Sequence, residues 1–306
     1  GREGQARPRI PAPFAPFLGP RVRHSSAPLD PAELAGRRVA VVGLSASAFD
    51  NACLAAESGA QATLLGRAAR VPTVNKMKQT VYPGFAHGFP DLPPRARLDW
   101  LTYVARARTA PPRHTVQRAA RAGVRLVLGA EVARVEEAGG GALRLIFADP
   151  ALAPAEADLA ILGTGFAFDL SAAAELAAFA PHAALWRDLV PDAQAGELLD
   201  CPALGPGFEL TPRPDAAPEG LRRIRLFTHA AQPSLGNLAG DIPQASEGAR
   251  RLARAIARDL FLEDAAHHRD ALHAFDLPEL LGDEWDAPDD RAADRAEDRA
   301  DDPAAD

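Results

Sequence analysis

Residues 38–48 read Arg38-Val39-Ala40-Val41-Val42-Gly43-Leu44-Ser45-Ala46-Ser47-Ala48. A short apolar run ending in glycine is the pattern of a strand buried on both faces of a parallel sheet. Beyond it, Ala48, Phe49, Ala52, Cys53 and Ala56 recur at helical spacing, which predicts a helix over 45–59 with Gly59 as its stop. Gln61 to Gly66 is a second apolar run and predicts a second strand. Strand, helix and strand within about 30 residues make a right-handed βαβ opening.

The turn between the first strand and the helix carries the chemistry. A dinucleotide-binding turn has the form G-x-G-x-x-G/A. Its first glycine makes the bend, its second admits the pyrophosphate, and its third position packs helix on strand. Gly43 and Ala48 fill the outer positions, with Ser45 at the middle one and Leu44, Ala46 and Ser47 between. The helix N-terminus still offers free N–H groups and the positive end of its dipole to an anion. After the second strand come Arg67 and Arg70, with no acidic residue where a ribose 2′-hydroxyl would be bound. Guanidinium groups there suit a 2′-phosphate, so the expected nicotinamide cofactor is NADPH. The competing readings are a Rossmann-like corner without a ligand and two solvated surface arginines.

Outward from this unit, residues 1–36 are rich in Pro and Arg and read as extended chain. Residues 68–95 read as an irregular, functional loop, with Asn75, Lys76, Tyr82 and His87 as cleft candidates together with His24. Helices are expected over 95–108 and 114–122, and a strand over 124–128. A hairpin is expected from 131–137 to 142–147 around Gly139-Gly140-Gly141. Residues 157–163 read as another buried strand, 171–221 as mostly helix and loop, 223–227 as a late strand, and 245–262 as a long helix.

The chain has 306 residues, 47% hydrophobic and 25% charged, a globular balance. No apolar run approaches the roughly 18 residues that span a bilayer. No signal-peptide core is legible in residues 1–30, so a cytoplasmic location is expected. The first residue is Gly1, which suggests a piece of something longer or a processed product. Cys53 and Cys201 form no CxxC pair, so neither a disulfide scaffold nor a cysteine zinc site is expected. His267, His268 and His273 have no cysteine partner, and no metal is expected. The net charge of −7 is uneven. Residues 283–306 carry eleven acidic side chains and three arginines. This segment has no apolar face to offset its ordering entropy and reads as disordered. The remaining body is near neutral, with no basic stripe for nucleic acid.

Residues 41–52, VVGLSASAFDNA, resemble the second nucleotide-binding motif (G-x-G-x-S-A-x-D) of the FAD- and NADPH-dependent flavoprotein monooxygenases. That superfamily includes flavin-containing, N-hydroxylating and Baeyer–Villiger enzymes. Phe17-Leu18-Gly19 with His24-Ser25-Ser26 is similar to the family's F-x-G-x-x-x-H-S element, one residue longer here. Ile161 to Phe166, with Gly163, Thr164 and Gly165, resembles its A-T-G-x-x-F element. Gly240-Asp241-Ile242-Pro243 resembles the late Gly-Asp that faces the flavin ribityl chain. The four elements in order cover roughly residues 14–262.

The resemblance implies an α/β fold: a Rossmann-like NAD(P)-binding domain (37–150) inserted into an incomplete FAD-binding α/β domain (151–282). Residues 1–36 are then a linker segment, and 283–306 the acidic tail. It implies FAD and NADPH as cofactors, a flavin C4a-(hydro)peroxide as oxidant, and hydroxylation of a small nitrogenous or heterocyclic substrate by O₂. The family's first G-x-G-x-x-G, which binds the ADP half of FAD, has no counterpart in this sequence. The expected partner is therefore a chain supplying that half, or a homo-oligomer. Two other readings stand beside this one: a flavin-dependent NADPH reductase that inserts no oxygen, and a non-catalytic nucleotide-binding module.

Overall fold

The computed structural model describes residues 5–214 and 218–282. It divides into two compact units, Gly1–Ile256 and Ala257–Asp306. The acidic segment 283–306, read above as disordered, lies outside the described residues.

Residues 1–36 hold more structure than extended chain. β1 (Ala6–Pro8), a 3-10 turn at Ala12–Phe17, β2 (Val22–His24) and the short helix α1 (Pro31–Leu34) form there. The two strands exist because of partners some 140–160 residues later, which local sequence does not reveal. β3 (Arg38–Val42), α2 (Ala46–Glu57) and β4 (Gln61–Gly66) then follow where the apolar spacing puts them. Gly59 ends α2 at a φ of 85°, a left-handed stop open to glycine.

The segment 68–95 is not wholly irregular. It contains a 3-10 turn at Lys76–Thr80 and α3 (Pro83–Gly88). Pro83 takes the first helical position, where its missing N–H costs nothing, so a residue that suggested a loop starts a helix. α4 (Pro94–Ala107), α5 (Arg113–Arg121) and β5 (Arg125–Leu128) come next.

β6 (Val132–Glu137) and β7 (Leu143–Phe147) form the expected hairpin. The run 157–163 is two strands rather than one. It breaks at Asp158, between β8 (Ala155–Ala157) and β9 (Leu159–Leu162), which belong to different sheets. β10 (Phe166–Phe168) pairs antiparallel with β1. Residues 171–221 hold 3-10 turns and one short helix, α6 (Trp186–Leu189). The strand expected at 223–227 is absent: Leu221–Arg223 is a 3-10 turn, and Arg225 makes one isolated bridge to Glu209. α7 (Gln232–Leu235) and α8 (Ile242–Glu263) complete the series before α9 (Ala265–Ala274), whose residues are exposed. In the second unit the Phe261 and His268 rings stack 4.8 Å apart.

The main sheet is parallel, in the order β2-β9-β3-β4-β5. It reaches outside residues 37–150 in both directions, through β2 and β9. Alternate side chains of each strand go to opposite faces. Val39, Val41, Leu64 and Ile161 pack against Phe49, Ala52 and Cys53 of α2. Ala40, Leu65, Ala160 and Leu162 pack against Phe14 and the meander side chains Val135, Leu143 and Leu145. The result is three layers: helices, parallel sheet, and the antiparallel meander β6-β7-β8. Each large aliphatic buried this way contributes about 1.5–3 kcal/mol. A separate apolar cluster gathers Leu170, Leu176, Phe208, Leu210, Leu226 and Leu235. No helix among the described residues is long and apolar enough to cross a membrane.

Asp158 fastens β3 at its start. Its carboxylate accepts the Arg38 backbone N–H at 2.8 Å and the Arg38 guanidinium at 2.7 Å. The guanidinium bond, chiefly, holds the Asp158 carboxyl below the ordinary carboxylate range. A depressed acid contributes stability above its unfolded value, and loses it as pH falls through its folded value. Asp158→Asn should therefore lower stability at pH 7 by about 1 kcal/mol, the partly exposed pair being screened by solvent. Urea titrations of both proteins should converge once the pH falls below the carboxylate range. A gap that persists at pH 2 would contradict this account.

Candidate functional site

Gly43 follows β3 at the carboxyl end of the sheet, where ligands of open α/β folds bind. Its φ is +133°, and a Cβ built on it would lie 2.4 Å from the carbonyl oxygen of Gly163. Gly163 is pinched in turn: its own Cβ would lie 2.6 Å from that of Ala48. Two glycines and an alanine thus let the β3 turn, the loop after β9 and the start of α2 meet backbone to backbone.

Ser45, at the middle position of the turn, is the N-cap of α2. Its Oγ accepts the Ala48 N–H at 3.4 Å, meets Ser47 Oγ at 3.0 Å, and donates to Gly163 O at 3.4 Å. Among the described residues the N–H groups of Ala46 and Ser47 meet no acceptor. Two donors of the first turn remain open at an exposed helix end, where the dipole favours an anion. Leu44 lies across the end of β4, where the absence of a side chain on Gly66 makes room for it.

The loop Gly163-Thr164-Gly165 is held by the N-terminal segment. The Thr164 hydroxyl donates to Arg9 O, and the Arg9 N–H donates to Gly165 O. His24, on β2, is buried and joins this support. The Ser26 N–H donates to its Nδ1 at 3.2 Å, which puts the ring proton on Nε2. That nitrogen donates to Gly165 O at 2.9 Å. The Phe166 ring meets the imidazole edge-on at 4.8 Å.

These pieces enclose a cleft of about 580 Å³, lined among others by Gly43, Leu44, Ser45, Arg67, Gly163, Thr164 and Gly165. A second cavity of about 620 Å³ is lined by Phe168, Glu197, His229 and Gln232. Arg67, Ala105 and Arg108 line both, so the two adjoin. The Phe168 and His229 rings stack 5.9 Å apart in the second. Both volumes are of the size that holds a cofactor or a small substrate.

Of the residues singled out from sequence, the first cleft brings together the glycine turn, Arg67 and the Gly163–Gly165 loop. Others lie elsewhere. Arg70 is exposed and lines neither cavity. Asn75 caps the 3-10 turn at Lys76–Thr80, accepting the Met77 N–H at 3.0 Å. The Lys76 ammonium stands 5.9 Å from the Tyr103 ring. Tyr82 and His87 are exposed. Gly240 rests on His229, whose Nδ1 would lie 2.5 Å from an added Cβ, and Asp241 directly precedes α8. The Gly-Asp element thus touches the second cavity only through His229.

Sequence reasoning missed Arg9 and Arg108. Arg9 pairs with Glu197 and lines the first cleft. Arg108 ends α4 with φ 57° and ψ 152°, a region that is essentially glycine-only. Such a conformation costs about 1–3 kcal/mol and concentrates at functional sites. The available signal was Ala110-Pro111-Pro112, which forces the helix to stop without providing a glycine to stop it.

No family model matches the sequence. Among curated proteins, the FAD-dependent urate hydroxylase of Xanthomonas campestris pv. campestris is 36% identical over 276 residues. That match covers 88% of this chain and 57% of the relative, so the chain spans a little over half the length of that protein. Among solved structures, the FAD-bound cadaverine monooxygenase of Erwinia amylovora superposes with a TM-score of 0.60 at 15% identity. It covers 81% of this chain and 58% of that one. The ornithine N-hydroxylase of Kutzneria sp. 744, with FAD, NADP⁺ and L-ornithine, gives 0.60 at 16% identity. It covers 83% of this chain and 62% of that one. At these identities the two structures speak for the fold alone.

Proposed function

We propose, for a chain that resembles the flavoprotein monooxygenases in sequence and in fold, that it serves an FAD- and NADPH-dependent hydroxylation of a small nitrogenous substrate. The chain supplies the nicotinamide-cofactor half. The observation that supports this is the first cleft. There, one cavity is lined by the glycine turn through Ser45, which leads directly into the open N–H donors at the start of α2, and by an arginine that has no ion pair among the described residues. In this reading residues 37–150, extended by β2 and β9, form the NADPH-binding layer, inserted between segments of an FAD-binding domain.

The residues present fit the nucleotide. The α2 N-terminus and Ser45 would hold the pyrophosphate, and Arg67 a 2′-phosphate. When bound, NADPH supplies a hydride to a flavin, which then activates O₂. The protein's share is position and dryness. The Gly163–Gly165 loop, fixed by Arg9 and His24, sets the distance between turn and second cavity. Phe168, His229 and Gln232 would present an aromatic and amide wall to a flat heterocycle there. The ADP half of FAD has no glycine turn in this sequence to receive it. That half is supplied in this proposal by a further polypeptide segment, on a partner chain or within an oligomer.

The test is the visible spectrum of the chain after incubation with FAD and desalting, before and after NADPH. Retained flavin bands that bleach with NADPH support the proposal. Substrate-dependent O₂ consumption with a hydroxylated product completes it. Bleaching without oxygenated product favours the reductase reading. A colourless protein that still binds NADP⁺ favours the nucleotide-binding module, to which Ser45 already lends weight.

A further inference from the structure

Arg67 and Arg108 reach the same place from unrelated elements. Arg67 follows β4, Arg108 ends α4, and both line the two adjoining cavities. Neither makes an ion pair or a side-chain hydrogen bond among the described residues. Other arginines nearby are neutralised: Arg9 by Glu197, Arg7 by Asp169 and Arg95 by Asp192. Of the two carboxylates that line the cavities, Glu197 is taken by Arg9, which leaves Glu131 to face the uncompensated guanidinium groups of Arg67 and Arg108, with Arg106 adding a third on the second cavity. The junction is therefore cationic. Arg108 is moreover held in a glycine-like conformation at a position where glycine is the ordinary helix stop. A long cationic side chain kept there at a conformational cost has a use that glycine cannot serve.

We propose that Arg108 is a specificity-determining residue that closes with Arg67 on the 2′-phosphate of NADPH, the pair acting as a clamp built from two separate elements of the fold. This rests on the reading of the first cleft as a nicotinamide-nucleotide site. A phosphate monoester carries a charge of about −1.5 to −2 at pH 7 and offers three acceptor oxygens. Two guanidinium forks from different directions match that geometry, whereas a 2′-hydroxyl gains little from either. Arg70, exposed and outside both cavities, takes no part. NADH should lose nothing when Arg108 is removed.

The experiment measures dissociation constants of NADP⁺, NAD⁺ and 2′,5′-ADP for the full chain by titration calorimetry. The variants are Arg67→Ala, Arg70→Ala, Arg108→Ala and Arg108→Gly. Arg108→Gly removes the guanidinium while accepting the same backbone, so a loss of binding in it cannot be blamed on a broken helix end. Arg67→Ala, Arg108→Ala and Arg108→Gly should each weaken NADP⁺ and 2′,5′-ADP about 10- to 100-fold and leave NAD⁺ within about twofold. Arg70→Ala should change none of the three. Arg108→Gly should also melt no lower than the parent chain. An unchanged NADP⁺-to-NAD⁺ ratio in both Arg108 variants overturns the clamp, while selective loss in Arg67→Ala keeps the nucleotide reading intact. Equal weakening of both nucleotides also overturns it, because Arg108 would then shape the cleft rather than read the phosphate. A parent chain that binds none of the three ligands overturns the nucleotide reading itself, and the clamp with it.

Discussion

Replacing Gly43 by alanine should cost about 3–5 kcal/mol of stability and abolish nucleotide binding. Two costs combine. The φ of +133° is one that L residues rarely adopt, and the new methyl would sit 2.4 Å from the Gly163 carbonyl oxygen. The first is worth about 1–3 kcal/mol and the second, as overpacking, about as much again. Relief by movement is blocked, because Gly163 is itself wedged against Ala48. Gly59→Ala is the control. It shares a positive φ, of 85°, but has nothing within 4 Å of an added Cβ. It should cost only about 1 kcal/mol. Urea midpoints of the two variants separate backbone strain from close approach. Equal losses would show that the meeting of the two loops is not what makes Gly43 necessary.

Trp186→Ala should cost about 3–5 kcal/mol and weaken NADP⁺ binding from a distance. The indole is 1% exposed. Its Nε1 donates to Ser234 Oγ at 3.0 Å, and the Arg97 guanidinium lies 4.8 Å over its ring. Arg97 also donates to Ser234 O at 2.9 Å, while its buried Nε has no hydrogen-bond partner. Removing the ring leaves a desolvated cation beside a cavity, which costs more than the lost apolar area. Arg97 belongs to α4, the helix that delivers Thr102, Ala105 and Arg108 to the cavities. Trp186→Phe keeps most of the packing and loses the indole N–H, so about 1–2 kcal/mol is expected. A destabilised Trp186→Ala protein with unchanged nucleotide affinity would show that α4 is held by other contacts.

The βαβ opening was legible because every signal for it is local. Val39 to Val42, the spacing of Ala48, Phe49 and Ala52, and the Gly59 stop each decide their own neighbourhood. The same holds for the hairpin around Gly139–Gly141. What was not legible depends on distant partners. β1 and β2 are three-residue strands that exist only through β10 and β9. The strand expected at 223–227 had the right composition, but it meets residues 208–210 at a single bridge, too short a pairing to make a ladder. The run 157–163 reads as one strand through Asp158, although a lone carboxylate in an apolar run, needing its own partner, was the signal for the break. In the site, the glycine turn and the Gly163–Gly165 loop stood out as motifs, and the structure adds that they touch. Arg108 carried no motif, because its position follows from a helix end and not from a spacing.

The contact between Gly43, Gly163 and Ala48 also bears on how such a chain can drift. Alanine and arginine are both abundant in this sequence, and glycine codons reach both by one base change. Over most of the surface that exchange is harmless. At 43 and 163 it is not, because a single added carbon at either one meets the other's neighbourhood with no room to yield. Any lineage of this chain should therefore show alanine spreading around these two positions and stopping at them. Position 48 should stay at the small end of the alphabet for the same reason, since any larger side chain there fills the space that the glycines keep open.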